Sequence, residues 1–119
     1  MINKEELLQK IPKLLDELKN KNPLTHCITN FVTVNDCANA VLAIGASPIM
    51  SEDIEEVAEV VSISDALVIN IGKLSHEQVE AMKVSSAQAN KINTPVILDP
   101  VGVGISQLRN KVTLELIEN

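Results

Sequence analysis

The segment Asp99–Gly104, which reads Asp-Pro-Val-Gly-Val-Gly, carries the residue types best suited to ligand chemistry in this chain. Asp99 follows an apolar run typical of a strand, so its carboxylate should emerge at the rim of a sheet, where it can hold Mg²⁺ or orient a phosphate-bearing ligand. Gly102 and Gly104 permit positive φ and a close approach of backbone amides to an anion. A purely structural interpretation, a glycine-rich turn capped by Asp99, fits the pattern equally well.

Polar or flexible side chains also stand at the ends of the other predicted strands. Asn30 and Asn70 carry amides that can bind a ligand or satisfy the local backbone. Met50 can form the apolar wall of a pocket, although methionine is more common in a core. Gly45 is placed to end a helix just before the next strand. No catalytic triad or cysteine–histidine pair follows from the spacing.

The elements that must position these residues alternate along the chain. Short apolar runs predict strands at 24–28, 47–50, 66–71 and 94–98, and periodic stretches predict helices at 34–44, 54–63 and 76–92. The runs 66–71 and 96–98 carry apolar residues on both faces, which is typical of parallel strands covered by helices on each side. The sequence therefore predicts an α/β fold with three α/β/α layers and a largely parallel sheet.

Helix ends are predicted from their capping residues. Ser75 should cap the third of these helices, with the Gln78 side chain returning a hydrogen bond to form a capping box. The amphipathic stretch before residue 22 begins with a similar box at Asn3 and Glu6, and Pro12 predicts a kink or a restart within it.

Composition excludes several classes of partner. The formal net charge is −6 and Phe31 is the only aromatic residue, which argues against the basic patches and stacking platforms of nucleic-acid binding. No apolar run is long enough to span a membrane, and residues 1–22 lack the apolar core of a signal peptide, so a cytoplasmic location is expected. Because no second ligand pair lies near them, His26 and Cys27 are predicted to be half-buried and structural.

Four blocks taken together resemble the hydroxyethylthiazole kinase family from about residue 22 to Arg109. They are Pro23–Asn30, Gly45–Met50, Ala66–Gly72 and Pro95–Gly102. The resemblance implies a ribokinase-like fold and transfer of the γ-phosphate of ATP, with Mg²⁺, to the hydroxyl of 4-methyl-5-(2-hydroxyethyl)thiazole in thiamine salvage. It also implies a homotrimer with active sites between neighbouring subunits.

Residue roles follow from the same resemblance. Asn30, Val32, Gly45 and Met50 match positions that line the thiazole pocket in the family. Asp99 matches an acidic residue near the nucleotide phosphates and the metal, and Gly102 lies beside it.

Family members are considerably longer than 119 residues. We therefore expect residues 1–119 to be a single, apparently truncated ribokinase-like domain, with a leading helix in 1–22 and strand–helix units in 23–119. The catalytic residue is expected beyond Asn119, and the isolated chain is expected to be inactive.

Two alternatives remain open at this point. The chain can be a non-catalytic fragment that binds the thiazole alcohol or partners another subunit. A response-regulator-like interaction domain is a weaker alternative, because that class needs a cluster of acidic residues at the strand ends, and Asp99 stands alone.

Overall fold

Strands and helices alternate along the chain much as the apolar runs predict. A computed structural model describes residues 3–119. Its elements are α1 (Lys4–Lys21), β1 (Leu24–Ile28), α2 (Val34–Ile44), β2 (Ser47–Met50), α3 (Val57–Ser62), β3 (Ala66–Asn70), α4 (His76–Lys91), β4 (Val96–Asp99) and α5 (Gln107–Glu118). Helix α3 is shorter than predicted because Asp53 Oδ1 accepts the Glu55 amide at 2.9 Å, which holds the preceding residues in a turn.

All strand pairs are parallel, and the order across the sheet is β2-β1-β3-β4. The connection from β1 to β2 runs in one direction, and those from β2 to β3 and from β3 to β4 run in the other. Right-handed crossovers therefore put α2 on one face of the sheet and α3 and α4 on the opposite face. The predicted three-layer α/β/α class is confirmed.

The main core lies between the sheet and helices α3, α4 and α5. Its fully buried side chains include Ile28, Leu67, Ile69, Ile71, Val57, Val61, Met82 and Val112. Ser106 begins α5, since its side chain accepts the Arg109 amide at 3.2 Å. The apolar stretch near the end of the sequence is therefore helical, and it contributes Val112 and Leu116 to this core.

The opposite face of the sheet is covered less completely. Helix α1 has no buried residue, and α2 packs beside β2. Ile97 on β4 is 55% exposed, so the prediction that both faces of 96–98 are covered is wrong. The reason is topological, because the β3-to-β4 crossover places α4 on the core face and the α1–α2 layer lies toward β2.

Helix α1 runs without interruption through Pro12, so the predicted restart does not occur. Asn3 caps the helix through the Glu5 amide at 3.2 Å, whereas Glu6 pairs with Lys10 at 2.6 Å and does not complete a capping box. Because α1 is exposed to solvent, water can hydrate the carbonyl that loses its partner at the proline.

His26 is more deeply buried than the sequence predicts, with 0% of its surface exposed. Its Nε2 lies 2.8 Å from the carbonyl oxygen of Ser51. Since a carbonyl can only accept, Nε2 carries the proton, and the buried Nδ1 has no hydrogen-bond partner among residues 3–119. Burial lowers the pKa of His26 below its ordinary value of 6.5.

This burial predicts a loss of stability in mild acid. Because the pKa of His26 is lower in the folded chain, the unfolded chain binds a proton first as the pH falls. The free energy of unfolding should therefore be fully retained above about pH 6.5 and decline progressively below it. Urea unfolding at a series of pH values above and below this point measures the decline. The pH dependence should weaken in His26→Gln, and it should be preserved in the control His76→Gln, whose side chain is exposed. Equal pH dependence in both variants would contradict the assignment.

Candidate functional site

Three predicted site residues meet at the carboxyl edge of the sheet. Asn30 follows β1, Asn70 ends β3 and Asp99 ends β4. The direction of the chain connections reverses between β1 and β3, and in open α/β sheets the crevice at such a reversal is where ligands bind. The fold therefore places Asn30 and Asn70 on the two sides of the crevice, with Asp99 next to Asn70.

Hydrogen bonds join these three side chains into an amide network that ends on the Asp99 carboxylate. Asn30 Nδ2 donates to Asn70 Oδ1 at 3.2 Å, and Asn70 Nδ2 donates to Asp99 Oδ2 at 2.8 Å. The backbone amide of Gly72 also donates to Asn70 Oδ1 at 2.8 Å. The network spans the ends of three neighbouring strands, and it leaves the second carboxylate oxygen of Asp99 available.

Asn30 serves the local backbone as well as this network. Its Oδ1 accepts the amides of Val32 at 3.1 Å and Thr33 at 3.2 Å, which shapes the turn into α2. With two lone pairs occupied and one amide hydrogen given to Asn70, the side chain retains a single hydrogen for a ligand. The Val32 side chain is 70% exposed beside it.

Gly72 is required by this close contact between two amides. A Cβ atom at position 72 would lie 2.8 Å from Asn30 Nδ2 and 2.8 Å from Asn70 Oδ1. Gly72 was not among the residues singled out from the sequence. The sequence feature that indicates it is a glycine two residues after an asparagine at a strand end. The backbone N–H at that position can donate to the amide oxygen of the asparagine.

The turn after Asp99 is glycine-rich, as predicted, but Asp99 does not cap the helix that follows. Gly102 and Gly104 have φ values of 73° and 92°, and Ser106 caps α5 instead. The Gly104 amide donates to Asn110 Oδ1 at 2.6 Å, so it is already occupied within the turn. The capping interpretation is therefore wrong, and the Asp99 carboxylate faces the amide network.

Arg109 ties this turn to the preceding one. Its Nη1 donates to the carbonyl oxygens of Ile71 at 2.5 Å and Val101 at 2.7 Å, and its Nη2 donates to that of Gly72 at 2.9 Å. The guanidinium thus connects the loops that directly follow Asn70 in β3 and Asp99 in β4. Nothing in the sequence pattern indicates this, because the three acceptors are backbone carbonyls.

Met50 lines a pocket of about 210 Å³ at the end of β2. Thr29, Phe31, Val34, Ser51 and Glu52 form the rest of its surface. An adjoining pocket of about 90 Å³ shares Phe31 and Glu52 and reaches Asn30 and Lys73. The Lys73 ammonium lies 3.9 Å from the centre of the Phe31 ring, so a cation–π contact joins two exposed side chains at this edge.

Gln78 joins the ends of β1 and β2 at the same edge. Ser75 caps α4 as predicted, since its side chain accepts the Gln78 amide at 3.1 Å. The Gln78 side chain does not return that bond. Its Nε2 donates to the carbonyl oxygen of Thr29 at 2.8 Å and to Glu52 Oε2 at 2.9 Å. Long-range partners therefore replace the predicted capping box.

Another pocket, of about 580 Å³, lies between the β2–α3 loop and the start of α4. Its lining includes the acidic residues Glu52, Asp53, Glu77 and Glu80. A surface of this charge repels phosphate groups. The candidate site is therefore the smaller pair of pockets beside the amide network, where apolar and amide groups converge.

Gly45 lies away from this cluster. It ends α2 with φ of 100°, at the amino-terminal side of β2, so the length of the strand separates it from Met50. A Cβ atom there would lie 2.5 Å from Lys19 Cγ. Within one chain Gly45 therefore packs against α1, and its predicted contact with the thiazole stays a prediction.

Asp99 fits one kind of metal site only. Among residues 3–119, no three His, Cys, Asp or Glu side chains lie close enough together to hold a metal ion. Mg²⁺ needs few protein ligands, however, since one or two carboxylates, the substrate phosphates and water complete its shell. An exposed carboxylate with one oxygen held by Asn70 suits that arrangement.

Comparison with known proteins gives the family. The profile of the hydroxyethylthiazole kinase family matches residues 15–119. The chain belongs to this family. The hydroxyethylthiazole kinase of Methanobrevibacter smithii is 92% identical over all 119 residues, which is 42% of that protein. The hydroxyethylthiazole kinase of Clostridium tetani is 58% identical over 113 residues, or 95% of this chain and 41% of that protein.

A solved structure from the same family supports the fold assignment. The hydroxyethylthiazole kinase protein of Pyrococcus horikoshii OT3 aligns with a TM-score of 0.90 and 42% identity, covering 92% of this chain and 43% of that one. The chain spans about two fifths of the length of the curated relatives it matches. Within residues 3–119, none of the helices combines the length and apolar character needed to cross a membrane.

The contact at Gly72 predicts a specific effect of Gly72→Ala. The new methyl group should push the two amides apart and lower the free energy of unfolding by about 1–3 kcal/mol. In NMR spectra, the side-chain amide signals of Asn30 and Asn70 should shift. Gly104→Ala is the matched control, since position 104 has positive φ but open space around it. It should cost about 1 kcal/mol and leave both amide signals unchanged. Unshifted signals in Gly72→Ala would contradict the contact.

Arg109→Lys should destabilise the chain although it preserves the charge. An ammonium group cannot reach three carbonyls in the planar arrangement of the guanidinium, so the expected loss is about 2 kcal/mol. Chemical denaturation measures it, with the exposed Lys91→Met as a control that should change stability little. Equal stability of the wild type and Arg109→Lys would rule out the clamp.

Proposed function

We propose that this chain forms the substrate-side part of a kinase that transfers the γ-phosphate of ATP to the hydroxyl of 4-methyl-5-(2-hydroxyethyl)thiazole in thiamine salvage. Its membership of the hydroxyethylthiazole kinase family supports the reaction class. The observation that carries the proposal is the joining of Asn30 and Asp99 through Asn70 at the crevice. This arrangement links the proposed thiazole side of the site to the proposed phosphate side.

The Met50 pocket suits an apolar heteroaromatic ring. In this proposal the ring packs against Met50 and the exposed Val32 side chain, and the remaining amide hydrogen of Asn30 donates to the ligand. The hydroxyethyl group then points along the crevice toward Asp99. Methionine is well suited to such a wall, because its flexible thioether adapts to the shape of a ring.

Asp99 and its glycine-rich turn face the phosphates in this proposal. Phosphoryl transfer depends mainly on positioning and on stabilising the charge of the transferred group. When bound, Mg²⁺ would be held by Asp99 and would neutralise charge on the phosphate oxygens. The Asp99 carboxylate is already oriented by Asn70, and Gly102 lies in the turn that follows it, with φ of 73°.

The remaining parts of the reaction are proposed to come from outside these 119 residues. Arg109 is engaged with three carbonyls and cannot serve the phosphates at the same time. The group that removes the hydroxyl proton is proposed to lie beyond Asn119. A homotrimer in which neighbouring subunits share the site would allow Gly45 of one subunit to approach the pocket of another. A cytoplasmic location is part of the same proposal.

A second candidate function is that of a non-catalytic module that binds the thiazole alcohol or partners another subunit. The exposed apolar side chains of α1 favour it, because such a surface is typical of a docking face. They are Leu7, Leu8, Ile11, Leu14 and Leu15, with 36% to 56% of their surface exposed.

Calorimetry and a kinase assay together test the proposal. The purified chain should bind the thiazole alcohol, and Met50→Ala should weaken that binding about tenfold through the loss of apolar contact. Ile105→Ala is the matched control, because it removes an exposed apolar side chain that does not line the pocket. ADP release should be absent from the isolated chain. It should appear when residues 1–119 replace the aligned segment of the Methanobrevibacter smithii kinase.

The outcomes separate the candidates. Binding by the chain with turnover in the chimera supports the kinase, whereas binding with an inactive chimera favours the non-catalytic module. Absence of binding in both proteins would overturn the thiazole site altogether.

A further inference from the structure

We propose that Asn70 is a positioning residue, which orients the Asp99 carboxylate and couples it to Asn30 on the opposite side of the crevice. This inference rests on the proposed function, and it assigns a role to a residue that the resemblance leaves without one. Asn70 is half-buried at the end of β3, between the two residues it joins.

The direction of the hydrogen bonds fixes the orientation of every amide in the network. The backbone N–H of Gly72 can only donate, so the Asn70 atom facing it at 2.8 Å is Oδ1. Its Nδ2 must then face Asp99. The amides of Val32 and Thr33 fix Asn30 in the same way, since both donate to its Oδ1 and turn its Nδ2 toward Asn70.

Asn70 is committed to these neighbours. Two donors occupy its Oδ1, and one of its two Nδ2 hydrogens is given to Asp99. The Asn70 side chain therefore acts on a ligand mainly through the Asp99 carboxylate.

The backbone of Asp99 is already held by hydrogen bonds of its own. Only the side chain of this residue therefore remains to be oriented by Asn70. The Asp99 carbonyl oxygen accepts the amides of Ile71 at 3.2 Å and Val101 at 3.0 Å, and Pro100 restricts the backbone conformation of Asp99. The carboxylate still rotates about its side-chain torsions. The bond from Asn70 engages Oδ2 and selects one orientation, so Oδ1 is the oxygen left for a ligand.

The network has a consequence for ligand binding. A ligand that displaces Asn30 also displaces the acceptor of its Nδ2, which is Asn70 Oδ1, and through Asn70 it moves the donor to Asp99. Binding of a ligand on the thiazole side should therefore change the orientation of the Asp99 carboxylate, which is two hydrogen bonds away. The linkage crosses the ends of three adjacent strands.

The bond to Asp99 is tested first, without any ligand. Asn70→Asp preserves the acceptor for Gly72 and Asn30 but replaces the donor facing Asp99 with a second carboxylate oxygen. Asp99→Asn removes the charge, and in the double variant an amide at 99 can donate to a carboxylate at 70. Stability in urea should fall in Asn70→Asp and recover in the double variant. Failure to recover would overturn the assigned bond.

The coupling is tested by NMR on the ¹³C,¹⁵N-labelled chain with the thiazole alcohol as probe. In the wild type, the ligand should shift both the Asn30 side-chain amide signal and the Asp99 carboxyl ¹³C signal. In Asn70→Ala the shift at Asn30 should persist and the shift at Asp99 should disappear. Asn90→Ala, at an exposed position of α4, is the control and should preserve both. A shift at Asp99 that survives in Asn70→Ala would overturn the coupling alone.

Kinetics in the chimeric kinase provide a readout that a general loss of stability would not give. Asn70→Ala should lower kcat at least about tenfold, because the carboxylate is no longer held in position, and change KM for the thiazole alcohol less than about threefold. Equal changes in both constants would contradict a positioning role. If the wild-type chain shows no ligand-induced shift and the wild-type chimera no turnover, the proposed function and the coupling both fall. The urea experiment then still decides the bond between Asn70 and Asp99.

Discussion

The direction of the chain connections reverses between β1 and β3, and the candidate site depends on this reversal. Right-handed crossovers send α2 to one face of the sheet and α3 and α4 to the other, so no helix fills the crevice above the adjoining strand ends. Amide side chains at those ends then face each other across the crevice. Their bonds to one another satisfy polar groups that would otherwise be costly to bury at the edge of a core.

Backbone hydrogen bonds give that network its direction. Three peptide N–H groups, those of Val32, Thr33 and Gly72, determine which atom of each asparagine faces which neighbour. Arg109 holds the two following loops together through their carbonyls. The site is thus built mainly from main-chain groups that every residue carries. This explains why a single carboxylate can be held firmly without a second charged residue beside it.

The two faces of the sheet differ in how completely they are covered. The face toward α3, α4 and α5 holds the continuous aliphatic core, and the buried His26 lies next to it. On the other face α1 has no buried residue and Ile97 is largely exposed. Local sequence could not reveal this asymmetry, because the apolar runs of β3 and β4 look alike and only the connectivity decides which helix covers which strand.

The sequence by itself determined the order of the elements from α1 to β4, the parallel α/β class, the helix ends at Ser75 and Gly45 and the strand-end positions of Asn30, Asn70 and Asp99. Each follows from local periodicity or from capping chemistry, which depend on residues close together in the chain. Only the tertiary structure decided that Gln78 reaches Thr29 and Glu52, that Arg109 ties two loops together, and that Gly45 lies apart from Met50. These contacts join residues far apart in sequence, so they exist only once the crossovers have fixed which strand ends are neighbours.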